Sequence, residues 1–293
     1  MKNKIALRCP CSTKAELISV EGGLICSKSG CCHHKTPFSI FNQTPVLISE
    51  EKTDTLCRAN NIRSYVPRSS PKLNFLKRLL VGESQVTKDN CDQFLELIKS
   101  QCSNPKILVI GSGEEGSGTH QLWNDQAVEI HGVDIYASPS VHVICDGHYL
   151  PLADESYDGV WIQAVLEHVV EPQKVVDEIF RVLKADGIVY AETPFMQQVH
   201  EGAYDFTRFT VLGHRYLFKC FEEIHMGGNK GPELVLSWSI RYFIWGITRS
   251  KMAGRAAGIL TGLVLRPFQF LMTPQSAYDG PSEIGRASCR ERV

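Results

Sequence analysis

The chain has 293 residues, 43% of them hydrophobic, and a formal net charge of -1. That length holds one full α/β domain plus a small module, and the balanced charge excludes a global attraction to nucleic acid, leaving only local basic patches. Residues 1–8 lack the apolar stretch of a secretory signal. Eleven cysteines in such a chain point to thiols and metal rather than disulfides, and so to a cytoplasmic location.

Residues 1–49 are rich in cysteine, and their short alternating runs (15–20, 24–26, 38–41, 46–48) between turn residues predict strands. Cys9-Pro10-Cys11, Cys26 and Cys31-Cys32-His33-His34 set two groups of soft ligands on either side of a hairpin, as a tetrahedral structural zinc site requires. The best ligand set is Cys9, Cys11, Cys26 and Cys31, with Cys32 or His33 as substitutes. Cys57, Cys91, Cys102, Cys145 and Cys220 are scattered and read as plain thiols. Residues 50–104 form a linker, polar and then helical, with apolar residues near helical spacing at 73–81 and from 94 to 98.

From 105 to 232, strand-like runs at 107–110, 128–133, 141–144, 158–162, 187–193 and 222–226 alternate with helical ones. That alternation predicts an α/β fold with a doubly wound, mostly parallel sheet. The first run, Ile107-Leu108-Val109-Ile110, leads into Gly111-Ser112-Gly113-Glu114-Glu115-Gly116. Glycines there let backbone amides approach a nucleotide-like ligand where a Cβ would clash. Asp134 ends the second run, where a carboxylate can accept from both ribose hydroxyls, and Asp146 ends the third. Taken singly, the Gly111-x-Gly113-x-x-Gly116 spacing is a weak dinucleotide signal, and either acid could be a helix cap or a turn residue.

The succession decides between them. Asp146 is followed by Leu150-Pro151, Asp154-Glu155-Ser156-Tyr157-Asp158, Glu167-His168 and Arg181-Val182-Leu183-Lys184-Ala185-Asp186-Gly187. In this order the blocks resemble the class I S-adenosylmethionine-dependent methyltransferases of the type 11 branch, over residues 105–226. Ala185-Asp186 stands where that family usually has Pro-Gly. The resemblance implies a seven-stranded Rossmann-like sheet and S-adenosylmethionine, not NAD, as cofactor. It also implies roles: Gly111, Ser112, Gly113 and Gly116 along the methionine part and ribose, and Asp134 on the ribose hydroxyls. Ile135 would lie against the adenine, Asp146 would accept from its amine beside Gly147, and Gln163 would sit near the amino-acid end. The cysteine segment through Ile48 resembles the small Trm112-like zinc ribbon, although Cys9 and Cys11 are separated by one residue where the family has two.

Past the fifth strand, the stretch from Glu192 to Thr210 concentrates His200, Glu201, Asp205 and Arg208 among aromatics, and a similar block occurs in bacterial relatives. His200 is the candidate base or substrate ligand, with Asp205 and Arg208 shaping the pocket; the alternative for that pair is an ion pair capping the next helix. Glu167-His168 reads as a first-turn helix pair. Residues 233–282 are apolar and interrupted by Arg241, Arg249, Lys251, Arg255 and Arg266, so no clean span of about 20 apolar residues exists. They predict helices that lid the site or form a homo-oligomer face, or else a peripheral membrane surface.

The last stretch, Glu283-Ile284-Gly285-Arg286-Ala287-Ser288-Cys289-Arg290-Glu291-Arg292-Val293, resembles the in-frame translation of a sequencing adapter. On that expectation the genuine end, with the last strand of the sheet, is missing. The acceptor expected is a small molecule, a glycan or a lipid-linked intermediate. Alternatives are an RNA methyltransferase that uses the ribbon to touch its substrate, which the charge disfavours, and a non-catalytic scaffold on the same fold.

Overall fold

A computed structural model describes residues 5–52, 54–64, 85–200, 204–271, 275, 279–281 and 283–290. The helical run expected at 73–81 lies outside them. Two hairpins come first: β1 (Leu17–Val20) with β2 (Gly23–Cys26), then β3 (Ile40–Phe41) with β4 (Thr44–Pro45). Helix α1 (Gln85–Gln101) buries Thr87, Cys91, Phe94, Leu95 and Ile98, one face at helical spacing.

The main sheet comprises β5 (Lys106–Ile110), β6 (Glu129–Asp134), β7 (Val143–Ile144), β8 (Tyr157–Gln163), β9 (Leu183–Pro194), β10 (Glu222–Lys230) and β11 (Glu283–Cys289). Their spatial order is β10-β11-β9-β8-β5-β6-β7. Strands β9, β8, β5, β6 and β7 pair in parallel, and β11 runs antiparallel to both of its neighbours. Helices cover both faces. On one, α1 and α2 (His120–Asn124) pack on Ile107, Val109, Trp161 and Tyr190; on the other, α3 (Pro172–Val182) and α4 (Val211–Leu217) pack on Leu108, Ile110, Val160 and Ile162. Gly159 sets the first of these distances, since a Cβ there would lie 2.3 Å from Ile98 Cδ1. Asp186, where the resembled family has glycine, takes φ 65°, a left-handed conformation that a short polar side chain tolerates.

The slot between β9 and β10 is filled by Glu283–Cys289. The slot offers hydrogen-bonding edges on both sides and needs a small residue opposite Glu192, under the Tyr190 hydroxyl. Gly285 meets that need, because a Cβ would fall 2.7 Å from the Tyr190 hydroxyl.

The cysteine-rich module is joined to the sheet domain by backbone and core. Arg8 N–H donates to Pro151 O at 2.9 Å and Ala153 N–H to Ala6 O at 2.9 Å. Lys14 Nζ reaches Glu178 at 2.8 Å and Leu150 O at 3.1 Å. Cys9, Cys26, Phe38 and Leu47 share one hydrophobic core with Val133, Leu150 and Ile179. Val46 bridges in parallel to Ile144, next to which Leu47 N–H donates to Ile144 O.

At the other end, α5 (Pro232–Thr248) and α6 (Lys251–Leu265) form a helical hairpin. It closes tightly at Gly254 and Gly258, where a Cβ would lie 2.7 Å from Arg241 O and 3.0 Å from Arg241 Cβ. Among the described residues no helix is long and apolar enough to cross a membrane.

Candidate active site

Parallel strands all point their carboxyl ends to one edge of the sheet, and ligands of such sheets bind in the crevice there. Gly111 makes the turn out of β5 with φ 80°, and a Cβ on it would be 2.2 Å from Val165 Cγ2. Asp134, at the end of β6, ties this turn down. Its Oδ2 accepts from Gly113 N–H at 2.8 Å and its Oδ1 from Tyr136 N–H at 3.0 Å. Burial pushes its carboxyl above the ordinary range, against the pull of those amides. Ile135 and Tyr136 beside it are exposed. Ser112 turns away: its side chain is fully buried and bonds the Val133 and Ser140 carbonyls, each at 3.4 Å, so only its backbone faces the crevice.

Asp146 caps the turn Gly147–Tyr149, with Oδ1 accepting from His148 N–H at 3.0 Å and from His148 Nδ1 at 2.6 Å. Burial would raise its carboxyl, yet His148 holds it below the ordinary range. Its Oδ2 is buried with no hydrogen-bond partner. The linker lies over this end, where Cys57, Ala59 and Ile62 pack against Ala137, Val141 and Ile144.

A cavity of about 190 Å³ opens between Gly111, Gly116, Gln163, Ala164, Glu192 and Gln197. Gln163 Nε2 donates to Glu192 Oε1 at 3.2 Å, while Gln163 Oε1 is buried without a partner beside Gly116. Glu192 also accepts from the Tyr190 hydroxyl at 2.8 Å and Thr87 Oγ1 at 3.3 Å. Reading the sequence missed Glu192 and Thr87; the alternation of β9 could have placed Glu192 on the α1 face, but nothing local marks Thr87.

On the far side of the crevice, residues 197–200 and 204–208 fold back over the turn Leu166–His168. Phe206 N–H donates to Glu167 O at 2.8 Å. Arg208 pins the loop by donating to Gln197 O at 3.1 Å, Gln198 O at 3.3 Å and both oxygens of Asp205. That guanidinium draws the Asp205 carboxyl down to about 2. His200 presents Nδ1 to Asp205 Oδ2 at 3.4 Å, and its ring stands edge-on to His168. The helix that follows is capped by Thr210, which accepts from Gly213 N–H at 3.1 Å. The Asp205–Arg208 pair therefore serves the loop rather than the helix end. Glu167, read as a first-turn helix residue, is instead fully buried under this loop, with neither carboxylate oxygen hydrogen-bonded; burial pushes it up to about 8.

Residues 108–191, which run from within β5 to within β9, match the family described as a methyltransferase domain, type 11. The chain carries an S-adenosylmethionine-dependent methyltransferase domain. A search of the curated proteins found no match. Among solved structures, the chain is similar to the [4+2]-cyclase SpnF at 16% identity, covering 69% of this chain and 81% of that one, with a TM-score of 0.44. It is also similar to phosphoethanolamine N-methyltransferase 2 of Haemonchus contortus at 15% identity, covering 78% and 62%, with a TM-score of 0.45. A third is an S-adenosylmethionine-dependent methyltransferase of Archaeoglobus fulgidus at 14% identity, covering 74% and 99%, with a TM-score of 0.43.

Outside the matched residues, the chain gathers the sulfurs of Cys9, Cys11, Cys26 and Cys31 within 4.8 Å of one another. Cys9 and Cys31 are 3.8 Å apart, close to the edge of a tetrahedron with Zn–S bonds of about 2.3 Å. Burial raises the Cys9 and Cys26 thiols. Cys11, despite burial, is drawn down to about 6 by hydrogen bonds from Thr13, Ala15 and Cys9. Of the two substitutes, Cys32 is exposed and His33 stacks on Phe38, so neither joins the cluster. The four-cysteine cluster could bind zinc.

Proposed function

We propose that the chain transfers the methyl group of S-adenosylmethionine to a small-molecule, glycan or lipid-linked acceptor held at the His200 side of the crevice. The observation that carries this reading is the Gly111–Asp134–Asp146 constellation along three consecutive strand ends. Two buried oxygens without partners, Asp146 Oδ2 and Gln163 Oε1, suit the amine donors of that cofactor's adenine and amino-acid ends. S-adenosylmethionine supplies an activated methyl on a sulfonium. In this reading Gly111, Gly113, Gly116 and the Ser112 backbone line its methionine and ribose, Asp134 accepts from the ribose hydroxyls, and Ile135 and Gly147 flank the adenine. The remaining work of the chain is to hold acceptor and methyl in line and dry, which supplies about 7–11 kcal/mol of such a barrier. His200, oriented by Asp205, takes the acceptor's proton; Arg208 keeps the loop in place.

Titrating S-adenosylmethionine and S-adenosylhomocysteine calorimetrically, with NADH as control, tests the reading. Micromolar binding of both that is lost in Asp134→Ala supports it. Binding of neither leaves a scaffold on the methyltransferase fold.

A lipid-linked acceptor is favoured by the helical hairpin. Phe243, Ile247, Leu260, Leu263 and Val264 are all more than half exposed, and residues 232–266 carry five cations against one acid, Glu233. Such a basic apolar face suits an anionic membrane surface. The hairpin also touches the acceptor loop, with Tyr242 donating to Val199 O at 3.2 Å. Sedimentation with anionic vesicles, lost in Ile247→Glu with Leu263→Glu, supports this acceptor class; no sedimentation favours a soluble one. We read the N-terminal module as a ribbon of the Trm112-like type holding structural zinc on its four cysteines, and the compartment as the cytoplasm, in keeping with eleven cysteines in the chain.

A further inference from the structure

A second cluster of ligand atoms lies on the acceptor side of the crevice, away from the cysteines: Glu167, His168 and His200, with the three atoms within 4.8 Å of one another. Their surroundings are organised in the way metal-bound histidines are. His168 Nδ1 donates to the Tyr204 carbonyl. His200 Nδ1 faces the Asp205 carboxylate, which is itself anchored by the His200 backbone N–H at 2.9 Å and by Arg208. Holding Nδ1–H on a carbonyl or carboxylate fixes the tautomer and makes Nε2 the ligating atom. Both Nε2 atoms turn to the same carboxylate oxygen, Glu167 Oε1, at 3.5 Å from His168 and 3.9 Å from His200.

Glu167 is the independent sign. It is fully buried, and neither of its oxygens has a hydrogen-bond partner. Burying a carboxylate costs several kcal/mol unless a cation and hydrogen bonds compensate it. Arg208 is committed to Asp205 and to the carbonyls of Gln197, Gln198 and Thr207. Two imidazoles and a carboxylate, with second partners already in place, are a common donor set for zinc and related divalent ions.

We propose that Glu167, His168 and His200 form a binding site for a divalent transition-metal ion at the acceptor edge of the crevice. Three protein ligands leave a coordination position for an exogenous oxygen. The further use of that position, to bind the acceptor hydroxyl and make it easier to deprotonate, rests on the methyltransferase reading above and takes the place of His200 as base, since a ligating Nε2 accepts no proton; binding of the ion does not rest on it.

The test counts metal in the whole chain, stripped with chelator and dialysed against Zn²⁺, in a Cys11→Ser/Cys31→Ser background that removes the other cluster. The parent should retain one zinc per chain, and Glu167→Gln and His168→Ala/His200→Ala none. Asp205→Asn, which changes only an outer partner, should weaken zinc about 10–100-fold. Loading with Co²⁺ should give ligand-field bands without thiolate charge transfer. Should the cysteine background fail to fold, the same counts in the natural chain should read two for the parent and one for each ligand variant. Equal zinc in parent and both ligand variants overturns the inference. S-adenosylmethionine titration of the same samples separates the two ideas: cofactor binding without this zinc sinks the metal site alone, and zinc without cofactor binding sinks the methyltransferase reading alone.

Discussion

Asp134 and Glu167 lie on the same crevice, yet their carboxylates are treated in opposite ways. Asp134 ends a strand and takes one backbone N–H on each oxygen. Glu167 follows a strand by four residues, is sealed by a loop from another part of the chain, and has no hydrogen bond on either oxygen. The first is a group whose local turn prepares it to accept from a ligand's hydroxyls. The second is a carboxyl sealed in a closed place, which keeps its proton near neutrality unless a cation answers it. One half of the crevice is thus set by strand ends, the other by a long-range fold-back.

The sharpest way to test that division is to damage each half and ask what survives. His200→Ala should lower kcat by about 10²–10⁴-fold, as loss of a general base does, while leaving S-adenosylmethionine affinity within twofold; an equal loss in both would dissolve the distinction. Asp134→Ala should do the reverse, weakening cofactor binding about 100-fold, since hydrogen bonds to a charged group contribute about 1.5–3 kcal/mol each. Glu178 offers a control away from both halves. Against burial, Arg181 and Lys14 hold its carboxyl below the ordinary range. Its stabilisation is therefore complete above the ordinary glutamate range and fades as pH falls through the depressed value. Lys14→Met should cost about 2 kcal/mol by denaturant titration with the cofactor Kd unchanged.

The smallest effect concerns protons at the cofactor half. Burial keeps Asp134 above the ordinary carboxylate range, and donors from a ribose would favour its ionised form. Cofactor affinity should therefore be flat near neutrality and fall, by at most about tenfold per pH unit, as pH drops through that raised range. Proton release on binding, measured calorimetrically in two buffers, should grow over the same window. A flat profile down to the ordinary aspartate range would show that Asp134 is not the group that meets the cofactor.

What the sequence made legible follows the same division. Five parallel strands, the glycine turn and both strand-end acids could be read because each depends on periodicity and neighbours within a few residues. The cysteine cluster, Cys31 included, was legible because soft ligands repeat across a hairpin, and the structure sets the substitutes aside, with Cys32 exposed and His33 stacked on Phe38. Glu167 was not legible. Glu-His after a strand looks like an ordinary helix start, and its burial arises only when residues some 40 positions later return to bond its backbone. Nor could spacing foretell that Glu283–Cys289 would enter the sheet, because its fit depends on strand edges far away in the chain and on a glycine under the Tyr190 hydroxyl.

The contact of Val46 and Leu47 with Ile144 has a practical consequence. Strand β7 is the last of its side, only two residues long, and its outward backbone groups are taken by the end of the cysteine-rich module. A bare sheet margin is a template for pairing with other chains, and natural proteins blunt it. Here the module is the blunting device. A chain lacking residues 1–49 should therefore self-associate through that margin, and light scattering with and without residues 5–49 added in trans would register it.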